Sequence, residues 1–131
     1  MFYELKLKRE QDTGRAVTEV YLTDCEFFAE AEHAGLSLYN GGCDVVAISR
    51  SSIKEIVNPW QEGGDYYRAM IVDEFKRADG TVKDNRYRVL IRAYSLQEAM
   101  HIANNYMRQG LEDMRLDKVE KSKILGVLNV E

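Results

Sequence analysis

One order of elements, strand–strand–helix–strand, occurs twice along the 131 residues, and this limits what the chain can fold into. "FYELKLKRE" alternates apolar and polar residues, "QDTGR" turns at Gly14, and "AVTEVYLTD" alternates again. "FFAEAEHAGLSLYN" reads as a helix ending near Gly41 and Gly42. "CDVVAISRSSIKEIV" reads as one long third strand, bent near Ser51. The second pass follows "NPWQEGG". "DYYRAMIVDEFKR" and "NRYRVLIRAY" are strands joined at Asp79-Gly80, a strong hairpin signal. "SLQEAMHIANNYMRQG" is a helix with Ser95 and Glu98 as a capping box, and "MRLDKVEKSKILGVL" is the last strand. Helices are expected over 24–38 and 95–110.

Connection rules turn this order into a topology. A hairpin followed by a crossover helix places the third strand beside the first, in the order 2-1-3, with the helix on one face. Three strands and one helix bury too little alone, so the halves are expected to share a core. The expected class is α+β. Two such units, 1–58 and 65–131, with a joint at 59–64 holding Pro59, form a single domain about a pseudo-twofold. Two copies of about 60 residues are too few and too long for a solenoid.

Apolar residues make up 45% and charged residues 31%, the balance of a globular protein. No apolar run approaches the ~20 residues of a membrane span. "MFYELKLKRE" lacks the continuous apolar segment of a secretory signal, so the expected location is the cytoplasm, or the host cytoplasm for a phage-encoded protein. Cys25 and Cys43 are then expected to be reduced. Net charge is −4 but unevenly spread. Residues 1–64 hold 6 basic and 11 acidic side chains, and residues 65–131 hold 12 and 11.

Catalytic patterns are missing from the sequence. His33 and His101 lack partners at metal-ligand spacing, and no phosphate loop or nucleophile elbow occurs. Glu26 and Glu30 fit a solvated helix face. The expectation is a non-enzyme with no catalytic residue, metal or cofactor.

The informative feature is a face of arginines. In "NRYRVLIRAY", Arg86, Arg88 and Arg92 share one parity, and Tyr87, Val89, Ile91 and Ala93 the other. The partner strand adds Tyr66 and Arg68 to the arginine side. Lys6 and Lys8 hold the matching parity in the first half, Tyr94 continues the arginine row, and Trp60 lies in the joint. Cations interleaved with rings suit single-stranded DNA, or RNA as a second substrate, because phosphates are neutralised and bases stack. The competing reading is protective: order 2-1-3 makes the arginine strand an edge, and charge on an edge blocks sheet-to-sheet aggregation. Arginine rather than lysine favours phosphate contact. A third reading starts from Met70, Val72 and Leu90 on the same face. Left bare, they would serve a protein partner or a homo-oligomer.

Several segments carry a family resemblance: "YELKLKRE", "VTEVYLTDCEFFAEAE", "VVAISRSSIKEIV", "DYYRAMIV", "YSLQEAM" and the closing "ILGVL". On these the chain resembles a family of uncharacterised small proteins from Bacteroidetes and their phages, crAss-like phages included. The resemblance covers nearly the whole chain and rests on fold-defining segments. It implies single-stranded DNA binding as a candidate function and brings no binding residues with it.

Overall fold

The computed structural model describes residues 1–59, 61–109 and 113–128. Within them the chain is α+β: β1 (Phe2–Glu10), β2 (Ala16–Asp24), α1 (Phe28–Leu38), β3 (Asp44–Arg50), β4 (Ile53–Val57), β5 (Asp65–Lys76), β6 (Val82–Ala93), α2 (Leu96–Arg108), β7 (Asp113–Lys121) and β8 (Ile124–Leu128). No helix among the described residues is long and apolar enough to cross a membrane. The chain divides into two compact units. Unit 1 is Met1–Ser51 with Lys123–Glu131, and unit 2 is Ser52–Ser122.

Each unit holds one four-stranded sheet, in the order β3-β1-β2-β8 or β7-β5-β6-β4. The first three strands keep the expected 2-1-3 order, with antiparallel pairing. The fourth strand departs from expectation. What reads as one bent third strand is two strands, β3 and β4, in different sheets. The last strand is likewise two, β7 and β8. β4 pairs parallel with β6, and β8 parallel with β2. Both breaks fall on a serine whose N–H leaves the third strand for a carbonyl near the start of the first. Ser51 donates to the Phe2 carbonyl at 2.8 Å, and Ser122 to the Tyr66 carbonyl at 2.8 Å. The compact units therefore do not follow the 1–58 and 65–131 repeats. The arginine strand β6 also has neighbours on both sides and is not an edge.

Alternation sets which face each helix covers. Leu5 and Leu7 of β1 are fully buried with Ala31 of α1. In unit 2, Ala69, Ile71, Val89 and Ile91 form the core with Ala99 and Ala103 of α2. Both helices use small residues four apart, Ala31 with Gly35 and Ala99 with Ala103, to sit close to the sheet. A Cβ at Gly35 would lie 3.2 Å from side-chain carbons of Leu7 and Val45. The Ser95 hydroxyl caps α2 by accepting from the Glu98 N–H at 3.1 Å. α1 starts later than expected because Asp24 still belongs to β2, where it binds the N-terminal ammonium at 2.9 Å.

Two glycines at positive φ separate strain from crowding. Gly64 (φ +84) would place a Cβ 2.5 Å from the Ala93 carbonyl oxygen, whereas Gly80 (φ +89) has open space around it. Gly80→Ala is expected to cost about 1 kcal/mol of left-handed strain. Gly64→Ala is expected to cost clearly more, because backbone must also move. Denaturant unfolding of both variants measures the difference, and equal losses would contradict it.

Candidate nucleic-acid interface

The sheet of unit 2 turns one face to α2 and the other away from it. Cross-strand partners share a face. The register pairs Tyr66 with Arg92, Arg68 with Leu90, Met70 with Arg88 and Val72 with Arg86, so all four arginines stand on the face away from the helix. β7 adds Lys118 opposite Met70 and Glu120 opposite Arg68. Same-face neighbours along a strand are separated by about 6.8 Å, a spacing comparable to that of successive phosphates in an extended single strand.

Arg86 is exposed, and Arg68, Arg88 and Arg92 are half-buried. Arg88 Nη1 donates to Ser52 Oγ at 2.9 Å. The Arg92 guanidinium lies 5.2 Å from the centre of the Tyr66 ring, and its Nε is buried without a hydrogen-bond partner. Among the described residues none of the four is ion-paired. Arg115 on β7 differs: it binds Glu74 and reaches Asp84 at 3.8 Å. Glu120 lies opposite Arg68. A hydrogen bond from Lys118, with the charges of Arg68 and Arg88, holds its carboxyl below the usual range.

Unit 1 provides an internal comparison, since the same topology recurs there. β8 first meets β2 at Val20, and β4 first meets β6 at Arg88, each followed by a register shift. Matched from that point, Arg86, Arg88 and Arg92 correspond to Thr18, Val20 and Asp24, and Arg68 corresponds to Glu4. Leu90 matches Leu22, and both are fully buried. The fold is thus built once without arginine at these four positions.

The sequence-predicted residues fare unequally. Tyr66 is only 6% exposed with Arg92 over its ring, so it offers no open surface to a base. Tyr94 is 64% exposed and donates its hydroxyl to the Glu62 carbonyl at 2.6 Å. Trp60 lies outside the described residues. Lys6 and Lys8 are exposed on β1 of unit 1, on the face away from α1. Of the apolar residues on the arginine face, Val72 and Leu90 are fully buried and Met70 is half-buried. Lys118 escaped sequence reasoning because alternation fails in β7. Arg115 faces Val72, Leu116 faces Ile71 and Lys118 faces Met70, which leaves Asp117 as an extra bulged residue.

The densest polar cluster lies in unit 1. Glu19 accepts from Arg9 Nε at 3.1 Å and from the Tyr39 hydroxyl at 2.5 Å, and Arg9 also stacks on Tyr39 at 4.8 Å. Burial pushes the Glu19 carboxyl up, but the bonds from Arg9 and Tyr39 outweigh it and hold it below its ordinary range. Every partner comes from within the cluster, so it reads as a fastening for β1, β2 and the end of α1. Among the described residues no group of three or more His, Cys, Asp or Glu is placed to hold a metal.

Two outcomes follow for stability. A depressed carboxyl stabilises fully above the unfolded value of about 4.3 and loses its contribution as pH falls through the folded value. Glu19→Gln is therefore expected to lose about 1–3 kcal/mol at pH 7. The gap to wild type should narrow below about pH 4 in urea titrations; a gap independent of pH would contradict it. On the arginine face, Arg92→Ala should lower stability by about 1 kcal/mol through lost stacking and stem packing. Arg86→Ala should stay within about 0.5 kcal/mol of wild type by thermal melting.

A family model described as Domain of unknown function (DUF4494) matches residues 1–130. No curated protein and no solved structure matches the chain. The family match runs through both units and both strand crossings, and by it the chain belongs to the DUF4494 family.

Proposed function

We propose that the protein is a non-catalytic binder of single-stranded nucleic acid, DNA in the first place, with the arginine face of unit 2 as the contact surface. One observation carries this reading. Four arginines without ion-pair partners among the described residues occupy positions where the matched sheet of unit 1 has Thr18, Val20, Asp24 and Glu4. Edge protection does not account for Arg88, where β4 pairs with β6, or for Arg68 on β5, which lies between β6 and β7. Arg68, Arg86 and Arg88 neutralise phosphates, Lys118 adds to the row, and Tyr94 offers a ring for stacking. Arg92 supports the face by covering Tyr66. Phosphate and ring contacts do not read base edges, so sequence preference is weak. The resemblance to proteins of Bacteroidetes and their phages points the same way, and the site of action would be the cytoplasm.

The test is fluorescence anisotropy with labelled oligo-dT across a salt series. Binding should weaken with salt, with a log–log slope of about −0.7 per phosphate neutralised. In an Arg68→Ala/Arg86→Ala/Arg88→Ala variant that keeps its melting temperature, the slope should become shallower by about 2. Arg92 is left in place because it also holds Tyr66. No binding by wild type at low salt would overturn the reading. Lys6→Ala/Lys8→Ala, in the other unit, is a separate arm of the same titration.

A further inference from the structure

Matched on the sheet core, the two hairpins differ in length at the tip. Arg68 corresponds to Glu4 and Arg88 to Val20, so Glu74 and Asp84 correspond to Glu10 and Ala16, the last cross-strand pair of unit 1. Unit 2 then inserts two further pairs, Phe75 with Lys83 and Lys76 with Val82. The turns beyond are alike. Gln11 N–H donates to the Arg15 carbonyl at 2.8 Å, and Arg77 N–H to the Thr81 carbonyl at 2.7 Å. The insertion is an even number of residues per strand, so it preserves both faces.

The insertion has a composition of its own. Residues 75–83 hold three basic side chains and one acidic, whereas 9–17 hold two of each. The acid, Asp79, is committed to the turn, accepting from the Thr81 N–H at 2.9 Å. Every residue from 74 to 86 is exposed. Phe75 and Val82, on opposite faces, are 40% and 63% exposed, and Lys83 stands 5.9 Å from the Phe75 ring. A two-stranded ribbon gains little stability from such groups. Lys76 and Val82 stand on the face of the arginines, and Phe75 and Lys83 on the opposite one.

We propose that this extension is an arm that carries single-stranded nucleic acid beyond the arginine row. Lys76 contacts a phosphate, and the bare Val82 beside it, on the same face as the arginines, packs against a base or sugar. The inference rests on the reading of the arginine face. It sets the length of strand held: from Arg92 to Val82 the path is about 33 Å, against about 27 Å from Arg92 to Asp84. The intervening acids, Glu74 and Asp84, share Arg115, which offsets one of their two charges.

The experiment compares wild type with a chain lacking Phe75, Lys76, Val82 and Lys83, which restores the hairpin length of unit 1. Both are titrated against an oligo-dT length series at several salt concentrations, with melting temperatures measured alongside. The shortened chain should match wild type on the shortest oligomers and stop gaining affinity at a shorter length. Its salt slope should be shallower by about 0.7. Lys76→Ala at full length keeps the fold testable if the deletion melts early. Its salt slope should be shallower than wild type by about 0.7, as for the deletion. If wild type binds but both variants reproduce its length dependence, slope and affinity, the arm is overturned and the arginine face stands. If wild type does not bind at all, both fall together.

Discussion

The parallel pairing of a fourth strand onto the second strand of each sheet is the constraint on which the rest depends. β4 closes onto β6 and β8 onto β2. Without β4, β6 would present a row of unpaired backbone groups to solvent, and charged side chains there would read as a defence against aggregation. With β4 in place, β6 is held by ladders on both sides from Arg88 to Ile91, and its arginines project at intervals fixed by the pleat. A row of guanidinium groups on a strand fixed this way is pre-organised, so less ordering has to accompany binding.

The same pairing binds distant parts of the sequence into one unit. Val20 lies opposite Ile124, so the sheet of unit 1 is incomplete until the end of the chain returns to it. Gly126 packs there against the Tyr21 ring, where a Cβ would sit 3.3 Å from two ring carbons. Contacts this far apart in sequence delay folding, because the loop must close before they contribute. Serine at each crossing eases the exit. Ser51 and Ser122 each keep one backbone hydrogen bond to the first strand, while the next residues enter the other sheet.

Local rules made much of the fold legible. Alternation located both hairpins, the Asp79-Gly80 turn formed as read, and the Ser95 cap of α2 is where spacing placed it. The strand crossings were not legible. A polar interruption such as "SRSS" or "KSK" marks a bend, but nothing local says which sheet the next strand joins. The site was partly legible for the same reason. Parity put the four arginines on one face, yet it could not show Tyr66 buried beneath Arg92, nor Lys118 turned to that face by the bulge at Asp117.

The comparison between the two units then separates what the fold requires from what it carries. Leu22 and Leu90 occupy the same place and are equally buried, so that position is structural. Around it one sheet has Glu4, Thr18, Val20 and Asp24 and the other Arg68, Arg86, Arg88 and Arg92. Half-burying a guanidinium without a carboxylate is unfavourable, since water is lost and no charge replaces it. Among the described residues Arg68, Arg88 and Arg92 are half-buried without an ion pair, and Glu120, engaged by Lys118, feels the charges of Arg68 and Arg88 without pairing with either. An anion laid along β6 would supply the missing charge at several guanidinium groups at once. A polyanion suits this row better than a single small ion, because the positions to be satisfied lie in a line rather than around a point.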